Sequence, residues 1–226
     1  MSPRSAVVLA AGEGTRLSPL TENRPKPMLP VANKPLLDHV VTSLSDAGIE
    51  RAVLVVGHHR EAIQAHFGDG SDWDIEIEYV HQRLRHGTGH ALLQAESHVS
   101  GTFLVIHGDR IVEPSLVQEV LATYEEMGGA CLSVTHVENP PDYGIVYTDN
   151  GTVTGIVEKP SEYEVSSSLA NIGVYAFGPE IFSAIRGTER HGELGLTDVL
   201  DRNLDQLAVN AVRYDGPALD VAEPWD

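Results

Sequence analysis

The chain has 226 residues, 42% of them hydrophobic, so it can bury one substantial core, or one large and one small. Its 33 acidic and 15 basic residues give a net charge of −18, which argues against the positive face that a nucleic-acid backbone requires. A single cysteine excludes an intramolecular disulfide, and no apolar run is long enough to span a bilayer. We therefore expect a cytoplasmic protein without nucleic-acid or membrane partners.

The first part of the chain alternates between stretches with strand and helix periodicity. The predicted strands are AVVLAA, RAVLVVG, IEIEYVHQ, TFLVIHGD and ACLSVTHV. The predicted helices are PLLDHVVTSLSDAG, REAIQAHFG, GTGHALLQAESHV and SLVQEVLATYEEMGG. This alternation predicts an α/β fold with a Rossmann-like, mostly parallel sheet covered by helices on both faces.

The later part of the chain has a different pattern. YGIVYTDNGTVTGIVEKP predicts a β-hairpin around a DNG turn, ANIGVYAF a further strand, and PEIFSAIR and LTDVLDRNLDQL short helices. We interpret this region as a small β-rich cap on the main sheet, where a second substrate could be held. The sequence thus predicts one domain over 1–226, with a first half of 1–136 and a second half of 137–226.

The loop after the first strand, LAAGEGTRLSPLTENRPKPMLP, combines glycines with two cations. Gly12 and Gly14 let the backbone approach an anion, although a tight strand-to-helix turn would also use them. The loop lacks the GK[ST] of a Walker motif and the third glycine of a dinucleotide motif. Arg16 offers a planar fork for phosphate oxygens, and Lys26, between two prolines, offers a compact charge on a stiffened loop. Together they favour phosphoryl transfer.

The segment LAAGEGTRLSPLTENRPKPMLPVANKPLLDHV resembles the N-terminal motif of the sugar-1-phosphate nucleotidyltransferases, in which G-x-G-T-R precedes P-K. The resemblance covers essentially the whole chain. Its GTGHA segment is more similar to the N-acetylglucosamine-1-phosphate uridylyltransferases than to the thymidylyltransferases. The resemblance implies an enzyme that uses Mg²⁺, binds a nucleoside triphosphate (UTP or dTTP) and a sugar 1-phosphate, and makes a nucleotide sugar and pyrophosphate.

The resemblance also implies roles for individual residues. The catalytic residues would be Arg16, Lys26 and Asp109. The nucleotide would contact Leu9, Ala10, Ala11, Gly12, Glu13, Gly14, Thr15, Gln82, Gly87 and Thr88. The sugar would contact Gly108, Gly144, Glu158, Lys159 and Asn171, and Mg²⁺ would be held by Asp109 and Asp220. Taken without the resemblance, Asp109 could instead cap a helix, and Gln82 could be an exposed residue at a helix entry.

Several alternatives stay open at this point. Arg110, beside the proposed metal ligand, departs from the apolar or Asn residue that the family pattern leads us to expect. A glucose-1-phosphate uridylyl- or thymidylyltransferase, and a non-catalytic regulatory relative, are the alternative functions. Relatives of this kind can form homo-oligomers and continue into a left-handed β-helix domain, which could follow Asp226.

The ratio of arginine to lysine is also unusual. Twelve arginines accompany only three lysines, Lys26, Lys34 and Lys159, and the acidic residues are spread along the whole chain. This composition is typical of a protein from a salt-loving organism, although an ordinary acidic protein could share it. We therefore expect a halophilic surface, in which each retained lysine is a candidate for a function.

Overall fold

The computed structural model describes residues 5–12, 14–161, 163, 165–188 and 192–220. The strands are β1 Ser5–Ala10, β2 Pro30–Val31, β3 Lys34–Pro35, β4 Arg51–Val56, β5 Glu76–His81, β6 Phe103–His107, β7 Arg110–Val112, β8 Cys131–His136, β9 Gly144–Asp149, β10 Thr152–Glu158, β11 Leu169–Phe177, β12 Asn210–Arg213 and β13 Ala218–Asp220. The helices are α1 Leu36–Asp46, α2 Arg60–Phe67, α3 Thr88–Gln94, α4 Pro114–Met127, α5 Glu180–Gly187, α6 Leu196–Arg202 and α7 Leu204–Leu207. Over these ranges, no helix has the length and apolar character that crossing a membrane requires.

The main sheet of the described chain has nine strands in the order β5-β4-β1-β6-β11-β8-β12-β10-β9. Strands β5, β4, β1 and β6 are parallel neighbours, as the βα alternation predicts. Strand β11 runs antiparallel between β6 and β8, and β10 runs antiparallel to β12 and β9. The predicted hairpin is confirmed as β9 and β10, and it extends the edge of this sheet. The predicted α/β class is confirmed, with a central sheet that is parallel over β5-β4-β1-β6 and between β8 and β12, and antiparallel at its other pairings.

Alternate side chains of the central strands enter two hydrophobic layers, one on each face of the sheet. In β1, Ala6 and Val8 pack into the layer covered by α1, α2 and α4. Their neighbours Val7 and Leu9 pack into the layer covered by α3, α5 and α6. Because both faces of the strand are covered, AVVLAA reads as a continuous apolar run. Cys131 is buried in the first of these layers, and burial raises the pKa of its thiol to about 12, so the thiol is protonated and unreactive at neutral pH.

Some predicted boundaries were wrong. The helix predicted over GTGHALLQAESHV ends at Gln94 and is followed by a separate 3-10 turn, Glu96–His98. The helix predicted over LTDVLDRNLDQL is divided at Asn203, where φ is −127°, and the Asn203 amide donates to the Val199 carbonyl at 2.7 Å. The short strands β2, β3, β7, β12 and β13 were not predicted. Strands β7 and β13 pair with each other and bring two distant parts of the chain together.

Candidate active site

The loop after β1 begins at the carboxyl end of a central strand, where ligands bind in open α/β sheets. There the Gly108 N–H donates to the Leu9 carbonyl at 2.9 Å, which joins the ends of β1 and β6. Gly14 has a φ of +66°, and a Cβ on it would lie 2.8 Å from the Lys26 Cβ. A glycine is therefore required here both by the left-handed backbone and by the close packing of the Lys26 side chain.

Lys26 and Asp109 form a direct ion pair. The Nζ of Lys26 donates to Oδ2 of Asp109 at 2.6 Å, from a 3-10 turn, Lys26–Met28, in which Pro27 is buried. Burial works to raise the pKa of Asp109, but Lys26, His107 and Arg110 together outweigh it and hold that pKa below its usual value. Asp109 is thus ionised at neutral pH, and two of the predicted catalytic side chains are in contact.

A first cavity of about 430 Å³ opens between this loop and the start of α3. The predicted nucleotide residues that line it are Leu9, Ala10, Ala11, Gly12, Gly14, Thr15, Gln82, Gly87 and Thr88. A Cβ on Gly12 would meet no atom within 4 Å, so the backbone here lies beside open space. The predicted contact Glu13 lies outside the described residues. Arg16 belongs to the 3-10 turn Thr15–Leu17, but its side chain lies outside the described part of the chain.

The far wall of the first cavity is built by Gln82, Gly87 and Thr88. Gln82 is 6% exposed, and its amide nitrogen donates to the Gly87 carbonyl at 3.1 Å and contacts Nδ1 of His90 at 3.0 Å. These contacts use the amide N–H groups, so a ligand would meet the carbonyl oxygen. The Thr88 hydroxyl accepts the Leu196 N–H at 2.8 Å, which ties α3 to α6. Gln82 is thus a buried residue with a defined orientation.

Gly87 packs tightly against the backbone of the Leu194 segment. A Cβ on Gly87 would lie only 2.2 Å from the Leu194 carbonyl oxygen. The Leu194 segment is held there because Leu194 N–H donates to His86 and the Leu194 carbonyl accepts from Gly89. Close backbone packing therefore requires the glycine.

A second cavity, of about 760 Å³, lies between the β9–β10 hairpin, β11 and α6. Of the predicted sugar residues, Gly144, Glu158, Lys159 and Asn171 line it, as does the predicted metal ligand Asp220. Gly108 lies in the wall of the first cavity instead, because its hydrogen bond to Leu9 ties it to the end of β1. The two cavities meet at residues that line both of them: Lys26, Gly87, Thr88, His107, Asp109 and Glu193.

Hydrogen bonds and backbone conformation position the polar groups of the second cavity. The Asn171 amide donates to the Tyr175 hydroxyl at 2.7 Å, and its oxygen accepts the Gly173 N–H at 3.0 Å. Glu158 accepts a long hydrogen bond from the Thr197 hydroxyl at 3.5 Å. Lys159 has a φ of +45°, a strained conformation of the kind that occurs at functional sites. These residues place carboxylate, amide and ammonium groups around one space.

Arg110 and Asp220 form a second ion pair in the same cavity. Nη2 of Arg110 lies 2.8 Å from Oδ2 of Asp220, and the two residues are opposite each other in the β7–β13 ladder. Asp109 and Asp220 both line this cavity. Mg²⁺ prefers oxygen ligands, and two carboxylates together with substrate phosphates and water would supply them. Within the described ranges, no group of three or more His, Cys, Asp and Glu side chains could hold a metal by itself.

Sequence reasoning did not assign a role to several lining residues. His107 lines both cavities, and burial lowers its pKa to about 4, so the ring is neutral at neutral pH. Tyr175 is on the same face of β11 as Asn171, which period-two alternation could have indicated. Arg85 lines the first cavity, and its place in RLRHGTGH, just before Gly87, was a usable signal.

Comparison with known proteins gives consistent matches. The family model described as nucleotidyl transferase matches residues 5–217. The chain is 36% identical to the bifunctional protein GlmU of Methanococcus maripaludis, covering 98% of this chain and 52% of that protein. It is 38% identical to the UTP–glucose-1-phosphate uridylyltransferase AglF of Haloferax volcanii, covering 98% and 92%. The chain thus spans about half the length of its GlmU relatives. A crystal structure of UDP-glucose pyrophosphorylase with UDP-glucose superposes with a TM-score of 0.87 and 26% identity, covering 99% and 94%.

Proposed function

Since this chain belongs to the nucleotidyl transferase family, we propose that it joins a nucleoside triphosphate to a sugar 1-phosphate, with release of pyrophosphate. The observation that carries the proposal is the Lys26–Asp109 pair at the junction of two cavities. The first cavity takes the nucleotide and the second takes the sugar 1-phosphate, so the α-phosphate and the attacking phosphate meet at this pair.

The chemistry follows from positioning and charge. An oxygen of the sugar phosphate attacks the α-phosphorus in line, and pyrophosphate leaves on the opposite side. The sugar phosphate is ionised at neutral pH, so no general base is needed, and catalysis comes from orientation and charge neutralisation. Lys26 neutralises the reacting phosphates, and we assign Arg16 to the departing pyrophosphate.

We assign a divalent cation, Mg²⁺, to the carboxylates of Asp109 and Asp220. Family members generally use a divalent metal ion. When bound, such an ion supplies positive charge to the phosphate oxygens of the two substrates. Lys159 lies across the second cavity and neutralises the sugar phosphate, while Glu158 and Asn171 orient the sugar hydroxyls and substituents.

The base is assigned as uracil, with thymine as the alternative. Gln82 presents its carbonyl oxygen, which accepts the N3–H of uracil or thymine, whereas cytosine has an acceptor at N3. The sugar is assigned as N-acetylglucosamine 1-phosphate, because the GTGHA segment resembles that of the N-acetylglucosamine-1-phosphate uridylyltransferases. Glucose 1-phosphate is the second candidate, because AglF is matched over nearly its full length.

The proposal is tested by pyrophosphate release from the purified protein with Mg²⁺, using each pairing of UTP or dTTP with N-acetylglucosamine 1-phosphate or glucose 1-phosphate. We expect the highest kcat/KM with UTP and N-acetylglucosamine 1-phosphate. A preference for glucose 1-phosphate would transfer the assignment to the second candidate. Binding of UTP without turnover of any sugar 1-phosphate would support a regulatory relative and contradict the enzymatic proposal. The cytoplasmic location and homo-oligomer formation stay predictions.

A further inference from the structure

Arg110 is a cation of the second cavity that the proposed reaction does not use. It is the first residue of β7, directly after Asp109, and its side chain is 16% exposed. Among the partners of Asp220, Arg110 is the one opposite it in the β7–β13 ladder, with the charged atoms 2.8 Å apart. The backbone pairing therefore fixes a guanidinium at the edge of the space assigned to the sugar phosphate.

The guanidinium of Arg110 is only partly satisfied. It carries five N–H donors, and its Nε is buried with no hydrogen-bond acceptor in the part of the chain that the structure describes. A buried donor without a partner costs about 1 to 3 kcal/mol, so an additional acceptor at this group would be favourable. The planar fork matches phosphate oxygens, and Lys26 and Lys159 in the same cavity also attract an anion.

We propose that Arg110 binds the phosphate of the sugar 1-phosphate, and that it exchanges the Asp220 carboxylate for phosphate oxygens when it does so. This inference rests on the proposed function, because the phosphate belongs to its second substrate. When Arg110 turns to the phosphate, the Asp220 carboxylate becomes available to a divalent cation. Binding of the phosphate and of the cation therefore strengthen each other, by the same factor in either order.

The alternative is a fixed ion pair that only holds β13 against β7. In that case the pair stays closed when phosphate binds, so Arg110 contributes nothing to the coupling between phosphate and cation. Loss of the guanidinium would tighten the cation site in both cases, because a competing charge is removed from Asp220. The two cases therefore differ in whether phosphate binding depends on residue 110, and in whether phosphate strengthens cation binding less in Arg110→Leu than in the native protein.

The test measures binding without turnover. Mn²⁺ affinity is obtained from the EPR signal of the free ion, with and without inorganic phosphate, and phosphate affinity from calorimetry. The variants are Arg110→Leu and Arg110→Lys. The matched control is Arg51→Leu, which removes an arginine paired with Glu78 at 2.7 Å and lies outside the lining of both cavities.

In Arg110→Leu we expect phosphate to bind roughly tenfold more weakly and Mn²⁺ alone to bind several-fold more tightly. Phosphate should also increase the Mn²⁺ affinity of this variant by a smaller factor than in the native protein. Phosphate can itself ligate Mn²⁺, so some strengthening remains. Arg110→Lys keeps the charge but loses the planar fork, so phosphate affinity should fall by a smaller factor. If Arg110→Leu does not fold, the phosphate affinity of Arg110→Lys tests the proposal. Arg51→Leu should change none of these affinities.

The proposal would be overturned if the folded Arg110 variants bound phosphate within twofold of the native affinity. It would also be overturned if Mn²⁺ binding were unchanged or weaker in Arg110→Leu. Failure of the proposed function is a separate result. A protein that binds phosphate and Mn²⁺ as described, but releases no pyrophosphate with any sugar 1-phosphate, would contradict the enzymatic proposal and leave the role of Arg110 intact.

Discussion

Lys26 is the residue on which the proposed chemistry depends most directly. Its Nζ is at the junction of the two cavities and pairs with the carboxylate of Asp109, which follows β6. Replacing it by methionine keeps much of the apolar stem but removes the charge that both phosphates would meet. The partner carboxylate then stays partly buried without its cation.

We expect Lys26→Met to lower kcat by about two to three orders of magnitude, since removing one preorganised charge from a transition state has this effect. The pKa of Asp109 should rise, because burial then acts without the opposing charge of Lys26. Pyrophosphate release measures the first effect. The matched control is Lys34→Met, at an exposed lysine in β3. Equal activity in the two variants would remove Lys26 from the mechanism.

Gly87 supports the first cavity through its backbone, which leads to a stability prediction. Its φ of 92° and ψ of 175° lie in a region that glycine alone adopts readily, and Leu194 occupies the space of a Cβ. Gly128 has a similar backbone, with φ 66° and ψ −176°, but open space around it. The two positions separate backbone strain from steric conflict.

We expect Gly87→Ala to lower the free energy of unfolding by about 1 to 3 kcal/mol more than Gly128→Ala, because overpacking adds to the strain that both share. Urea denaturation gives the two values. Gly87→Ala should also weaken UTP binding, since the Gly87 carbonyl accepts from Gln82. Equal losses of stability would mean that the Leu194 segment moves aside at no cost.

At the scale of the element, β11 carries Asn171 and Tyr175 into the second cavity and is irregular between them. Its register with β8 shifts over this stretch. There the buried Ser133 hydroxyl donates to the Val174 carbonyl at 2.9 Å and accepts the Val174 N–H at 3.2 Å. One side chain thus replaces hydrogen bonds that the ladder lacks. Ser43, in α1, is also buried, but its hydroxyl has no hydrogen-bond partner among the described residues.

Ser133→Ala should therefore lower the free energy of unfolding by about 1 to 3 kcal/mol, because two backbone groups lose a buried partner. Ser43→Ala should be neutral or stabilising by a few tenths of a kcal/mol, since alanine favours the helix and no hydrogen bond is lost. Urea midpoints compare the two. A loss in Ser133→Ala no greater than that in Ser43→Ala would show that the irregular part of β11 needs no side-chain support.

Much of this arrangement could be predicted from the sequence. The βα alternation gives the long strands and helices, because covered strands and amphipathic helices have distinct periodicities. Strands β7 and β13 could not be predicted, since each has three residues and depends on a partner far along the chain. The pairing of Arg110 with Asp220 depends on that ladder. The close approach of Leu194 to Gly87 is equally a tertiary contact, and composition cannot indicate it.

At the scale of the whole molecule, the net charge of −18 leads to a prediction about salt. Repulsion among the acidic residues opposes the compact state, and it weakens as the Debye length falls from about 10 Å at 0.1 M salt to about 3 Å at 1 M. We therefore expect Tm to rise by several degrees between about 0.05 M and 1 M KCl, since 1 kcal/mol corresponds to roughly 2 to 4 °C at this size.

The chain offers a control that separates charge screening from other effects of KCl. Glu125 and Glu126 are exposed in the last turn of α4, where negative charge also opposes the helix dipole. Glu125→Gln with Glu126→Gln should raise Tm at low salt and flatten its dependence on KCl, whereas Lys34→Gln should lower Tm and steepen that dependence. If all three proteins respond to KCl with the same slope, self-repulsion does not limit stability, and the acidic surface has to be explained by solubility alone.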